Sequence, residues 1–413
     1  MIDLDREMRA LLEADARGTP PLADAEPVLR RARRRQAVVA LGAVAIAFAL
    51  VAGSVAGVSA LVRSSDRIVI GPDGSSTPSA CPPASTPEGP GSTASARPST
   101  DDHVYAQTVF DPASGRIVMI TTAGDMWTFD VCTNTWVPAP RSLSLEGVRE
   151  LVAVADSGRL VALQAGANGW RTWTLDADAD AWEEQGRPPL SSEAGFIQGP
   201  EAVFVPETGH VIVWEGAASA MWGYDADADT WEEIPMKEAL PPALDPALGW
   251  DVGLMTYDTT VGRLILYVGG ESGYQTWEFD LRDGRWTDRR VDTPATGFGW
   301  VPSGDETAFD EANDVTVLSS GGTTATYDAS AGTWTVLSGG DGIEHAPEAR
   351  TTRLYVAMAY DPLNARIVVA GGDVKTNGRW RPTDDVIALD VATGRWVELV
   401  APSADPVAMP EGT

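Results

Sequence analysis

Lysine is almost missing from this chain: among 413 residues only Lys237 and Lys375 occur, and basic charge is left to Arg. Cysteine is limited to Cys81 and Cys132, and histidine to His103, His210 and His345. So few soft ligands, so far apart, exclude the Cys-His spacings of zinc sites. No phosphate-binding glycine loop and no Ser-His-Asp set is present either. Positive charge is short overall. The formal net charge is −29, which disfavours nucleic acid, whose phosphates need Lys and Arg. It suits a soluble surface in salty surroundings.

Charge is absent altogether from Ala37 to Val62, a run of 26 residues. That length spans a bilayer with some tilt. Arg30, Arg31, Arg33, Arg34 and Arg35 precede it, and only Arg63 and Arg67 follow closely. The positive-inside rule then places residues 1–36 in the cytoplasm and everything after Val62 outside the cell. Val58-Ser59-Ala60 offers small residues for signal cleavage, but the 36-residue leading segment fits an uncleaved anchor better. Within residues 1–18, Leu4, Met8, Leu11 and Leu12 share one face of a short amphipathic helix. It is either a docking helix for a cytoplasmic partner or a juxtamembrane tail. Residues 63–103 turn to Ser, Thr, Pro and Gly and read as an extended spacer. Cys81 lies in it and Cys132 beyond it, both on the side where disulfides persist. A bond between them would pin the spacer to the chain around Cys132; two free thiols or a cross-link to another chain are the alternatives.

Residues 104–400 are built on repetition, and residues 401–413 form a tail. An Asp recurs at 130, 176, 225, 280, 328 and 390, each followed six residues later by Trp, at 136, 182, 231, 286, 334 and 396. The gaps between successive Trp vary from 46 to 62 residues, as in a supersecondary unit with loop insertions. Each unit opens on an apolar run such as Arg116–Ile120 or Arg263–Val268, apolar enough for a strand buried on both faces. Gly-Gly follows at 269–270, 321–322 and 371–372. A second strand ends in the Asp, a polar turn leads to the Trp, and a longer connection reaches a fourth strand.

This pattern, in FDPASGRIVMI…WTFDVCTNTW, YDTTVGRLILYVGG…TWEFDLRDGRW and YDPLNARIVVAGG…VIALDVATGRW, resembles the kelch repeat. The resemblance implies an all-β fold, a six-bladed kelch-like β-propeller, behind one transmembrane helix and a short cytoplasmic helix. Val104–Phe110 precedes the first unit and is expected to complete the last blade, built from residues 366–400. Galactose oxidase shares the kelch-type central domain, but its copper site needs two His, two Tyr and a Cys-linked Tyr. Three scattered His and no late Cys carry over the fold without that site, so neither metal nor cofactor is expected there. Alternating Asp176, Asp178 and Asp180, and Asp225, Asp227 and Asp229, are either Ca²⁺ ligands or solvated turns.

Ten of the fifteen Trp occupy two repeated positions and read as core. Outside them, Trp170, Trp250, Trp300 and Trp380 stand in connections, with Tyr274 and Phe298 nearby. Up-and-down strands put these longer connections on one face of the ring and the uniformly short turns on the other. The aromatics of the long-connection face are the ligand-binding candidates. The resulting expectation is a single-pass membrane protein displaying an extracytoplasmic module that binds or senses a protein or glycan, not an enzyme. A glycan hydrolase or lyase with a carboxylate pair, and a signalling component coupled to residues 1–36, are the alternatives.

Overall fold

In the computed structural model the described residues are Cys81, 97–99, 103, 105–139, 145–155, 157–166, 168–177, 179–190, 199–215, 220–237, 253–270, 273–289, 306–320, 323–338, 353–376 and 379–403. The amphipathic segment 1–18, the apolar run 37–62, most of the spacer and the tail beyond 403 lie outside them. No helix of the described residues is long and apolar enough to cross a membrane.

The first sheet holds β1 (Gln107–Asp111), β2 (Arg116–Ile120), β3 (Met126–Asp130) and β4 (Thr135–Pro138). The second holds β5 (Val148–Val154), β6 (Arg159–Gly166), β7 (Gly169–Leu175) and β8 (Glu183–Glu184). The third holds β9 (Glu201–Val205), β10 (His210–Glu215), β11 (Ala220–Asp225) and β12 (Thr230–Glu233). The fourth holds β13 (Gly253–Asp258), β14 (Arg263–Gly270), β15 (Gly273–Asp280) and β16 (Arg285–Asp288). The fifth holds β17 (Glu306–Asp310), β18 (Val315–Ser320), β19 (Thr323–Asp328) and β20 (Thr333–Ser338). After β21 (Arg353–Leu354), the sixth is made by β22 (Ala357–Asp361), β23 (Arg366–Ala370), β26 (Val386–Asp390) and β27 (Arg395–Val400). A hairpin, β24 (Asp373–Thr376) and β25 (Arg379–Pro382), interrupts that last sheet and pairs with β21 in a separate three-stranded sheet.

All the pairings are antiparallel, and the first strands β1, β5, β9, β13, β17 and β22 adjoin one another in a closed cycle. The fold is therefore a β-propeller, with the first strands innermost around the axis. The apolar second strands supply the layers between blades. One cluster joins Trp214 and Met221 to Leu264, Leu266 and Phe279, and another joins Ile117 and Met119 to Val368 and Ala388 across the seam between the last sheet and the first.

The repeated Asp and Trp have distinct duties. Asp130 Oδ1 accepts the backbone N–H groups of Cys132 and Thr133 at 3.0 Å, and Asp225 and Asp280 do the same for the residues two and three ahead. This side-chain capping locks the turn. In four units the residue before the Asp is an aromatic that faces the Trp across the hairpin: Phe129 opposite Trp136, Tyr224 opposite Trp231, Phe279 opposite Trp286 and Tyr327 opposite Trp334. Their rings lie 4.7–5.1 Å apart. In these four units the constant spacing is thus a cross-strand aromatic pair closed by a capped turn, and in the sixth Leu389 takes the place opposite Trp396.

Closure differs from the sequence expectation. β1 pairs with β2 in its own sheet, Gln107 to Ile120 through Asp111 to Arg116, and the last sheet is completed by its own β22. The reason is local. Asp111 caps Ala113 and Ser114, and Gly115 supplies the positive φ of a tight hairpin, so β1 is committed to its immediate successor β2. Side chains close the ring instead. Thr108 Oγ1 donates to the Met358 carbonyl at 3.0 Å, and Arg366 Nη2 donates to the Val131 carbonyl at 2.9 Å.

Gly253 shows how tightly blades meet. A Cβ there would lie 2.3 Å from Cζ3 of the buried Trp214 ring on the preceding blade. Gly253→Ala is expected to cost about 1–3 kcal/mol through overpacking; equilibrium urea unfolding reads it, and an unchanged midpoint would show that the seam can spread.

Candidate functional site

Topology separates the two ends of the axis. The β1–β2 and β3–β4 turns and their counterparts form the short-turn end. The connections between blades, and those from second to third strands, form the other. Each innermost strand begins at this second, long-connection end.

Three acidic side chains occupy one level there. Glu150, Glu201 and Glu306, with Gln107, stand four residues before the end of their innermost strands, while Leu254 and Ala357 hold that level in the other two. Glu150 Oε2 accepts the Ala202 N–H of the next blade at 3.0 Å, and Glu201 Oε2 accepts the Met255 N–H of the blade after it at 3.2 Å. An innermost strand has no further partner on the axial side, so its outward N–H groups need such acceptors. Glu150 and Glu201 thereby each commit one oxygen to the seam.

Burial raises the Glu150 carboxyl well above its ordinary range, and the neighbouring Glu201 and Glu306 add to this. Burial likewise pushes Glu201 up to about 8, opposed by the Met255 hydrogen bond. A proton held this way turns a carboxyl into a hydrogen-bond donor near neutral pH. Because the folded form binds the proton more tightly than the unfolded chain, the associated stability is complete below the ordinary carboxyl range. It is lost as pH rises through about 8. We expect the propeller to lose about 2 kcal/mol between mildly acidic and mildly alkaline buffer, and Glu201→Gln to remove much of that loss. Urea midpoints across pH measure it; a wild-type profile as flat as the variant's would overturn it.

Beside the carboxyls are Tyr105 and Tyr355, each six residues before the Asp that ends its innermost strand. Both adopt positive φ, 60° and 56°, a region that bulky residues rarely enter. Their rings meet at 4.8 Å with 53° between planes. Arg149 lies close enough to interact with both Tyr105 and Glu150, and burial lowers its pKa. An aromatic pair, a guanidinium and proton-bearing carboxyls therefore converge at the long-connection end. They come from segments separated by up to 250 residues.

Tyr355 is held from below. Arg353, two residues earlier, makes a two-pronged ion pair with Asp385, both bonds 2.8 Å, and donates to the Gly371 carbonyl at 2.8 Å. Thr383 Oγ1 donates to the same carboxylate at 2.8 Å.

Of the aromatics singled out in the sequence, Trp170 lies within β7 and is only 4% exposed, packed with Val211, Val213 and Tyr224. It offers a ligand almost no surface, since a strand and not a loop occupies its position. Trp380 lies in β25, half-buried. Tyr274 is in β15, and Trp250, Trp300 and Phe298 lie outside the described residues. Cys81 and Cys132 are joined by a disulfide on the short-turn side.

The alternating Asp residues are directed at protein donors. Asp229 accepts the Gly186 N–H and the Tyr224 hydroxyl, while Arg159 pairs with Asp176 and Asp227; Asp178 lies outside the described residues. Among the described residues no three His, Cys, Asp or Glu side chains converge on a metal position.

No protein-family model matches the chain, and no curated protein does. Among solved structures it is similar to a GH74 xyloglucanase from Xanthomonas campestris, at 14% identity and TM-score 0.48, over 73% of this chain and 46% of that one. A GH74 enzyme from Niastella koreensis gives 14% identity and TM-score 0.47, over 72% and 45%. A nidogen/laminin complex gives 10% identity and TM-score 0.45, over 66% and 89%. The chain spans about half the length of the two GH74 enzymes.

Proposed function

We propose that this chain is a membrane-anchored extracytoplasmic binding module. Its ring is a complete six-bladed, kelch-like propeller, and it receives a glycan at the long-connection end of the axis. The observation that carries the ligand is the Tyr105–Tyr355 pair, held in a strained backbone beside Arg149, Glu150 and Glu201. Strain of this kind persists only where surrounding structure enforces it, and it gathers at functional sites. Rigid aromatic faces suit the apolar face of a sugar ring, and carboxyls that keep a proton can both donate to and accept from hydroxyls. The anchor is residues 37–62, and the disulfide suits the oxidising side of the membrane. A protein ligand carrying exposed polar side chains is the variant of this reading that the same face would serve.

The test uses the full chain in detergent on a glycan array. Tyr105→Ala and Tyr355→Ala are each expected to weaken the best binder about ten-fold or more, a loss typical of an anchor residue. Full affinity in both would place the ligand elsewhere. Glu201 favours a second reading, because a carboxyl holding its proton to about 8 is suited to general-acid work on a glycosidic bond. Release of new reducing ends, abolished by Glu201→Gln, would establish the hydrolase; binding without turnover supports the module.

A further inference from the structure

The opposite, short-turn end of the axis carries a different chemistry. In five of the six innermost strands the residue just before the strand's last position is aromatic: Phe110, Phe204, Tyr257, Phe309 and Tyr360. In β5 that residue is Ala153. A cavity of about 390 Å³ opens there, lined by Phe110, Ala153, Phe309, Tyr360 and Glu311 among others. Its volume is within the ~300–1,000 Å³ usual for small-molecule sites. The lining belongs to four consecutive blades, the fifth and sixth followed by the first and second.

Glu311 is the charged member of that lining. Its neighbour Asp310 is saturated by the Ala312 and Asn313 N–H groups and the Asn313 side chain. The Tyr360 hydroxyl accepts a second bond from the same Ala312 N–H, which fixes its ring. Glu311 itself makes no hydrogen bond or ion pair among the described residues. It therefore presents a carboxylate with free acceptors at the rim of an aromatic hollow, on a chain whose net charge is −29.

We propose that this cavity binds a small organic ammonium ion, with the cationic nitrogen against Glu311 and an apolar body in the space that Ala153 leaves among Phe110, Phe309 and Tyr360. Both parts of the site select for it. Aromatic faces attract cations through their quadrupoles, and the exposed Glu311 carboxylate at the rim does so by charge, less strongly than a buried one would. Partial burial and the neighbouring Asp310 charge raise the Glu311 carboxyl, and an arriving cation would draw it back toward its ordinary range. An anion would meet the carboxylate unscreened. A neutral ligand of the same shape would gain the hollow but not the charge.

The experiment compares three probes of matched shape on the full chain in detergent, near neutral pH and at physiological salt: 2-phenylethylamine, 2-phenylethanol and 3-phenylpropionate. Calorimetry or ligand-detected NMR gives the affinities. The ammonium is expected to bind about ten-fold more tightly than the alcohol, and the carboxylate not at all. Glu311→Gln should bring the ammonium and the alcohol within about three-fold of each other. Ala153→Phe, which supplies the missing aromatic ring, should abolish binding of both. Equal affinities in the wild type, an undiminished preference in Glu311→Gln, or no binding of any probe at millimolar concentration would each overturn the proposal. Thermal melting verifies that Ala153→Phe folds. If it does not, Ala153→Leu takes its place, and the Glu311→Gln comparison decides on its own.

Discussion

Replacing Asp385 with Ala is expected to cost the fold about 3–5 kcal/mol, because it removes the two-pronged ion-pair partner of a buried guanidinium. Arg353 and Asp385 have side-chain exposures of 2% and 0% and meet through two bonds of 2.8 Å. The carboxylate also accepts from Thr383, so its oxygens are satisfied within the protein. Removing it takes the two-pronged ion pair away from Arg353, whose bond to the Gly371 carbonyl stays. The carboxylate is fully shielded from solvent in the intact fold, so the vacated position is not one that water already occupies at the surface. Urea unfolding gives the loss, and a change below about 1 kcal/mol would show that solvent reaches Arg353 after all. The paired change Arg353→Met with Asp385→Leu separates packing from charge. An apolar pair of similar volume should recover most of the stability, since a buried ion pair is weak net stabilisation once its desolvation is counted.

The same substitution bears on the site. Arg353 is two residues from Tyr355, whose positive φ and ring contact with Tyr105 depend on how β21 is anchored. Asp385→Ala should therefore weaken glycan binding more than a stability loss alone accounts for. Measured well below the melting temperature, the apolar pair should restore affinity if positioning is what Arg353 supplies.

The architecture was legible in the sequence because one physical unit is repeated. An Asp that caps its own turn and a Trp that must reach the residue before that Asp fix a spacing that insertions elsewhere cannot alter. The axial site was not legible, because its parts have no common spacing from the repeated Trp. Glu150, Glu201 and Glu306 become a set only when the innermost strands are aligned on their turns, and three of six strands break the pattern with Gln107, Leu254 and Ala357. Tyr105 and Tyr355 share an offset from Asp111 and Asp361, a signal that could have been found, but positive φ in a tyrosine leaves no trace in sequence. His103 reads as spacer, yet it is fully buried beside Gly371 and edge-on to Trp136. Composition describes the Pro-rich stretch before it and misses the point at which the chain enters the core. Trp170 errs in the opposite direction. Gly169 starts β7 one residue ahead of it, so a position that reads as a loop is strand and its indole faces the next blade.

Loss of the Cys81–Cys132 disulfide is expected to destabilise the propeller by about 4 kcal/mol. The bond closes a loop of 51 residues, and loop closure in the unfolded chain scales with the logarithm of that length. Its native end is already rigid. Cys132 lies in the β3–β4 turn, where Asp130 caps its N–H and Asn134 provides the positive φ, and both cysteines pack against the cluster around Phe129 and Trp136. Little native strain is therefore available to offset the entropic gain. The segment so tied leads to Arg97, which donates to the Ala401 carbonyl at 2.7 Å and so joins the start of the propeller to its end. Without the staple that segment loses its second fixed point, and the seam between the sixth blade and the first should open before the rest. Hydrogen exchange should then rise first in β1 and β22, with β9 to β16 protected until global unfolding. Urea unfolding of Cys81→Ala/Cys132→Ala against wild type, with and without reductant, gives the magnitude. Reductant should shift only the wild type, and by as much as the double substitution does. If the wild type unfolds at the same urea concentration in reductant, the bond carries no stability. Thiol labelling on intact cells then addresses compartment: unreactive cysteines until reductant is added are expected of an oxidising location, whereas two reactive thiols at the outset would place the propeller on the reducing side of the membrane.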